Sequence, residues 1–259
     1  QTQTYTGYMK HIIISDVHDN LESLVALVDN TRSLDGVGKI CLGDVVGGSL
    51  VGSNPDLGLN ANTVIELLLA EGFVTVRGNH DLFHIRELPT HQFYKKYPAD
   101  YFSVSGNDRP NIPVWSFRDE RSINLNMQSN CFLKDAPEFR IIEDTLFSHF
   151  LYPDLTGAII LNKKMLEIFL QMHFLFMDIN NCDTSFIGHL HVETPIIISN
   201  KRSNNQQRLR VNDVIYFDQG VKHIILCPAL SDAENLFKYV FYDREKRSVK
   251  FSTLHQLPK

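Results

Sequence analysis

The stretch Val76-Arg77-Gly78-Asn79-His80-Asp81 sets an amide, an imidazole and a carboxylate directly behind a short apolar run. Phe73 to Val76 (Phe-Val-Thr-Val) has the β-branched and aromatic content of a buried strand, and Gly78 marks a sharp turn after it. Polar side chains in that place stand at the C-terminal end of a strand. In open α/β sheets ligands bind outside those ends, in the crevice left by the crossover helices. The weight of this stretch therefore depends on whether other strands end the same way.

Four other apolar runs do. His11 to Ser15 leads into Asp16-Val17-His18, Lys39 to Leu42 into Gly43-Asp44, Thr145 to Ser148 into His149, and Thr184 to Ile187 into Gly188-His189-Leu190-His191. Between the first three strands, Leu21, Leu24, Val25 and Val28, and later Ile65, Leu68 and Leu69, recur at helical spacing. Strand and helix alternate three times, which predicts a parallel α/β half built from right-handed crossovers. Phe139 to Ile142 adds a short strand, and Met165 to Met177 another helix. From Thr194 onward, strand candidates at Pro195–Ser199, Val214–Phe217 and His223–Cys227, and a hairpin from Phe237 to Thr253 turning at Asp243-Arg244-Glu245-Lys246, predict a second, more antiparallel half. Parallel strands of one sheet share a rim, so the polar ends are expected to converge.

The intervening segment 82–136 is less regular. It mixes aromatics (Phe93, Tyr94, Tyr97, Tyr101, Phe102, Trp115, Phe117) with Arg86, Arg109, Arg118 and Arg121, and prolines break it repeatedly. It is too apolar for a disordered linker and reads as a helical insertion or cap that shapes substrate access. Residues 9–259 otherwise read as one domain. Met9-Lys10 looks like a native start, which makes residues 1–8 a leader or an expression remnant.

With 259 residues, 43% of them hydrophobic, the chain can bury a full core. Its net charge of −5 comes without a basic block, which argues against an extended nucleic-acid footprint. No apolar run reaches the roughly 18 residues of a membrane span, and no signal-peptide pattern opens the chain. Cys41, Cys131, Cys182 and Cys227 are scattered and read as reduced, mostly buried thiols of a cytoplasmic protein.

The five polar ends together offer two carboxylates (Asp16, Asp44), one amide (Asn79) and four imidazoles (His18, His149, His189, His191), with His80 held aside. That set of oxygen and nitrogen donors suffices for two metal ions and is unsuited to a structural thiolate site. His84, one helical turn from His80, belongs to no such block and reads as structural, as do His11, His91, His173, His223 and His255. Asp81 reads as a residue that fixes the turn through its carboxylate.

The ordered blocks Asp-x-His, Gly-Asp, Gly-Asn-His-Asp, a lone His and Gly-His-x-His resemble those of the calcineurin-like metallophosphoesterase superfamily, from about Met9 to about Pro195. The resemblance implies a four-layer αββα sandwich of two mixed sheets with a helical insertion after the Gly-Asn-His-Asp motif. It further implies that Asp16, His18 and His191 hold one divalent metal, that Asn79, His149 and His189 hold a second, and that Asp44 bridges them. His80 would then be the catalytic residue, acting on the phosphate and the leaving-group oxygen. The implied activity is hydrolysis of a small phosphomonoester or phosphodiester, a nucleotide among them, by in-line attack of a hydroxide bridging the two ions. Manganese or iron suits the mixed ligands first, and zinc or nickel is also compatible.

Departures from the pattern bear on the substrate class. Ser/Thr protein phosphatases and dinucleoside polyphosphatases of the superfamily carry, after the second block, an Asp that orients the catalytic His and an Arg that grips phosphate. Here Gly47 and Gly48 stand in those places. Purple acid phosphatases need a Tyr ligand where Gly47 stands. Asp19 stands where many relatives have Gly, and Phe150 follows His149 where Gly is usual. The smaller bacterial and archaeal phosphoesterases are closest in style. The rival expectation is a scaffold or binding protein that keeps the fold without turnover.

Overall fold

A computed structural model describes residues 7–48, 59–90, 97–105, 108, 117, 120, 122–152, 163–201, 206–230 and 236–255. Residues 1–6 of the leader and residues 49–58 lie outside these residues, as do His91, Phe93, Tyr94, Arg109, Trp115, Arg118 and Arg121.

The chain begins with β1 (Lys10–Ile14), α1 (Leu21–Thr31), β2 (Val37–Cys41), α2 (Ala61–Ala70), β3 (Val74–Thr75) and the short α3 (Asn79–His84). After a 3-10 turn at Tyr101–Ser103 come α4 (Met127–Asp135), β4 (Phe139–Ile142), β5 (Thr145–Ser148), α5 (Lys163–Ile179) and β6 (Thr184–Ile187). The remainder is all strand: β7 (Ile196–Ser199), β8 (Gln206–Arg208), β9 (Val214–Tyr216), β10 (His223–Leu226), β11 (Leu236–Asp243) and β12 (Ser248–His255). Among the described residues no helix is long and apolar enough to cross a membrane.

Two mixed six-stranded sheets result, one in the order β3-β2-β1-β11-β12-β9 and the other β4-β5-β6-β10-β7-β8. In the first, β1, β2 and β3 are parallel, and in the second β5, β6 and β10 are. The split into a parallel first half and an antiparallel second half describes the chain but not the space. The C-terminal hairpin β11–β12 joins β1 antiparallel and completes the first sheet, while β5 and β6 form the parallel centre of the second. The five polar ends therefore come from two stacked sheets, three from one and two from the other, rather than from one sheet as their common rim suggested.

Alternation along the strands explains the layering. Ile13 and Ile40 pack with Phe147, Phe186 and Ile225 in the core between the sheets. Ile12, Ile14 and Cys41 point the other way, onto Leu24, Leu27, Val64 and Leu68 of α1 and α2. On the far side, Leu146, Ile187, Ile224 and Leu226 pack on Leu170 and Met177 of α5. Strands covered on both faces read as unbroken apolar runs, which is the pattern of Ile12-Ile13-Ile14. The fold is the four-layer αββα sandwich.

Local signals set the helix starts. Asn20 caps α1 by accepting from Ser23 N at 3.0 Å, and Asn126 caps α4 by accepting from Ser129 N at 2.8 Å. Within the 82–136 segment the described regular elements are helical, and its Tyr97, Tyr101 and Leu133 are buried in the cluster beneath α1 and α2. Of the cysteines, Cys41, Cys182 and Cys227 are buried, Cys131 is exposed, and all four are free thiols.

Candidate metal centre

At three of the five strand ends, those of β1, β2 and β6, the residues carrying polar side chains take left-handed backbone angles. Asp16, His18, Asp44, His189 and His191 all have φ between 43° and 65°. Non-glycine residues adopt that region at a cost, which surrounding contacts must offset. Here the loops brace one another. Asp16 N donates to Gly43 O at 3.0 Å, His18 N to Asp44 O at 2.9 Å, and His189 N to Asp16 Oδ2 at 3.1 Å. Asp19, in the place where glycine was expected, also has positive φ and accepts from Gly47 N at 3.0 Å. Aspartate tolerates the left-handed region better than most residues, and this hydrogen bond supplies the compensation.

Asp81 ties the second and third loops together. Its carboxylate accepts from Val45 N at 2.9 Å, Val46 N at 3.1 Å and Gly78 N at 2.9 Å. Phe150, the other departure from the expected pattern, is buried with its ring edge-on to both His149 and His189. A glycine there would leave those imidazoles without that wall.

The structure brings Asp16, His18, Asp44, Asn79, His149, His189 and His191 together. Ligand atoms of Asp16, His18 and His191 lie within 4.8 Å of one another, and so do those of Asp44, His149 and His189. Asp44 Oδ2 sits between the two groups, 3.9 Å from His18 Nε2 and 3.2 Å from His149 Nε2. Asn79 Oδ1 is 3.2 Å from His149 Nε2, and Asp16 Oδ1 is 3.3 Å from His191 Nε2. His80 falls beside them, its ring edge-on to His18 at 4.9 Å and its main-chain N–H donating to Asp44 Oδ1 at 2.9 Å.

The donor geometry suits cations. His18 Nδ1 donates to Gly47 O at 3.0 Å and His149 Nδ1 to Leu42 O at 2.7 Å, which turns both Nε2 atoms inward. His18 Nε2 and His191 Nε2 are only 3.1 Å apart, a contact that a shared positive ion relieves. Burial, reinforced by His80, pushes the His18 imidazole down to about 4, and burial reinforced by His149 pushes His189 down to about 3. Both rings are neutral and keep a lone pair. Burial works against the charge of Asp44, yet His149 and His80 more than offset it and hold the carboxyl well below its ordinary value. Burial also opposes a charged His149, but the Asp44 carboxylate raises it to about 9. Without a cation, a proton on His149 balances the buried Asp44 carboxylate, a place that a metal ion would take if bound.

One residue near the site has no sequence signal. Glu120, in the irregular 82–136 segment, places Oε1 3.0 Å from His80 Nδ1 and 2.8 Å from His84 Nε2. The spacing of His80 and His84 is visible in the sequence, but nothing there links either to residue 120.

Comparison with known proteins gives three findings. The family model described as calcineurin-like phosphoesterase matches residues 9–193. The uncharacterized protein MJ0912 of Methanocaldococcus jannaschii is 28% identical over 248 residues, covering 90% of this chain and 82% of that protein. Among solved structures, a metallophosphoesterase from Sphaerobacter thermophilus superposes with a TM-score of 0.67 at 21% identity, over 96% of this chain and 89% of that one.

Proposed function

This chain belongs to the calcineurin-like phosphoesterase family, a family of metal-dependent phosphoester hydrolases, and from that membership we propose a specific site and reaction. The proposed activity is hydrolysis of small phosphomonoesters or phosphodiesters at a two-metal centre. Asp16, His18 and His191 hold one ion, Asn79, His149 and His189 the other, and Asp44 lies between them. One observation carries this reading: five loops from two sheets bring two carboxylates, an amide and four imidazoles within a few ångströms, with His18 and His149 turned Nε2-inward by carbonyl bonds to Nδ1. Manganese or iron suits these mixed donors best, and zinc or nickel also fits.

When bound, the ions supply Lewis acidity toward the phosphoryl oxygens and acidify a water for in-line displacement at phosphorus. The chain's own groups do the rest. Neutral His18 and His189 keep the site's positive charge on the cations, which draws a phosphate toward an otherwise acidic protein. His80 has a partly exposed side chain, with Nδ1 turned to Glu120, so Nε2 is the nitrogen available to substrate. It binds a phosphoryl oxygen and delivers a proton to the leaving-group oxygen. The reading includes a cytoplasmic location and a small phosphate-ester partner, with nucleotides within the class.

The test is hydrolysis of bis-p-nitrophenyl phosphate and p-nitrophenyl phosphate with manganese, together with metal analysis. Asp44→Asn is expected to lose bound metal and turnover together. His80→Ala is expected to keep its metal and lose about 10²–10⁴-fold in kcat. Unchanged turnover in both variants rejects the assignment.

A further inference from the structure

Glu120 is a buried carboxylate with three donors on one oxygen. His80 Nδ1 lies 3.0 Å from Oε1, His84 Nε2 2.8 Å, and the main-chain N–H of Gly48 donates to it at 2.9 Å. Its side chain is 2% exposed. A carboxylate that has given up water for three protein donors is held in one place, because losing any of them leaves charge unsolvated. The three donors come from two separate loops, the one after Asp44 and the helical turn that follows Gly78.

The space for this carboxylate is made by Gly47. With φ of +87°, it has a backbone that L side chains rarely adopt, and a Cβ there would lie 2.5 Å from Glu120 Oε1 and 2.7 Å from His84 Nε2. Any side chain at 47 would force Glu120 or His84 out of this position. From the same stretch as Glu120, the Phe117 ring meets His80 edge-on at 4.8 Å and stacks on Phe83 at 4.4 Å. Residues 117 and 120 thus hold the His80 ring by an aromatic face and by its Nδ1.

We propose that Glu120 is the positioning residue of the site, fixing the ring angle of His80 so that Nδ1–H donates to the carboxylate and Nε2–H meets the leaving-group oxygen. His84 is the anchor that holds the carboxylate for this task. The inference rests on the role given above to His80, and it makes the irregular 82–136 segment a supplier of catalytic geometry. Glu120 bonds to His80, His84 and the Gly48 main chain, and it acts through His80. Its carboxyl is held down at about 2, where burial is outweighed by the bonds from His80 and His84, in keeping with a fixed acceptor.

Five proteins decide the matter: wild type, Glu120→Gln, Glu120→Ala, His80→Ala and the double variant that combines Glu120→Ala with His80→Ala. Their activity is read on p-nitrophenyl phosphate and on phenyl phosphate, whose leaving group depends more on a proton. Glu120→Ala is expected to retain metal and to keep KM within about 3-fold, while kcat on phenyl phosphate falls about 10–100-fold and kcat on the p-nitrophenyl ester much less. Glu120→Gln, which keeps an acceptor in the same place, should recover part of the loss. On the His80→Ala background the Glu120 change should add nothing, since the two act as a unit. A readout free of turnover is the ring-nitrogen correlation spectrum of His80, where the Nδ1–H resonance that Glu120 holds in the wild type should shift in Glu120→Ala.

Uniform loss on both esters, loss of metal in Glu120→Gln, full additivity with His80→Ala, or an unchanged His80 Nδ1–H resonance would overturn the proposal. If His80→Ala loses activity and Glu120→Ala does not, the positioning role fails alone. If His80→Ala is itself fully active, the parent role of His80 fails and this inference with it.

Discussion

Gly78 lies so close to Asp44 that no side chain fits between them. A Cβ at 78 would overlap Asp44 Oδ1 and lie 2.7 Å from its carboxyl carbon, while the φ of −99° is one that any residue adopts. Space, not backbone freedom, makes glycine necessary there. Gly78→Ala must push the loop after β2 away from α3, and overpacking of this kind costs about 1–3 kcal/mol. The variant is expected to melt several degrees lower and to bind less metal than wild type, as read by thermal denaturation and elemental analysis. An alanine variant with full metal content would show that Asp44 has room to move.

Asp81 makes a separate prediction. Three main-chain N–H groups, of Val45, Val46 and Gly78, depend on its carboxylate, and all lie in the buried floor of the site. Asp81→Ala leaves them without an acceptor, at about 1–3 kcal/mol for each that water cannot reach. Asp81→Asn keeps one oxygen and should fall between the two. Urea midpoints of the three proteins give the order directly, and an alanine variant as stable as wild type would mean that the loops relax onto other partners.

Most of this site was legible because its parts are local. Each of Asp16, Asp44, Asn79, His149 and His189 follows an apolar run short enough to recognise as a strand, and a strand's end has a definite place in an α/β sheet. Strand pairing was harder to foresee, since it joins segments from opposite ends of the chain. β1 pairs with β11, and no feature of His11 to Ile14 points to Val240 and Tyr242. β8 carries only exposed Gln206, Gln207 and Arg208, so it has no apolar alternation to betray it, and the run Phe73 to Val76 supplies just the two-residue β3. Glu120 was invisible for a further reason. Its partners His80, His84 and Gly48 are set by tertiary structure, within a segment whose prolines and aromatics give no period.

The metals themselves should stabilise the fold. Asp16 and Asp44 are wholly enclosed, and in the absence of cations their counter-charges are imidazoles, His191 first for Asp16 and His149 first for Asp44. Ions that bind the folded chain and not the unfolded one raise stability by about 2.7 kcal/mol per site at one hundred times their dissociation constant. Titrating manganese into chelator-treated protein is expected to raise the melting temperature in a saturable way. Asp44→Asn should flatten that response. A melting temperature indifferent to both metal and chelator would remove the premise that these side chains form a cation site.

Away from the site, His173 predicts how acid weakens the fold. It sits fully buried on α5 with Nε2 2.8 Å from Ser185 Oγ of β6, and burial pushes its imidazole down to about 4 against a smaller upward pull from the Tyr152 main chain. In the unfolded chain the ring titrates near 6.5. Between those values the unfolded state takes up a proton that the folded state refuses. Stability is therefore complete above about pH 6.5 and is lost as the pH falls toward 4, by about 3 kcal/mol for this one ring. His173→Gln keeps a polar partner for Ser185 but cannot titrate. It is expected to be less stable than wild type at pH 7 and to lose less on acidification, so that the two urea midpoints approach each other between pH 6.5 and 4.5. The proposed metal ligands respond to acid in both proteins alike, and the difference between the two curves isolates His173. Parallel curves would mean that the buried ring accepts its proton in the folded state as readily as in the unfolded one.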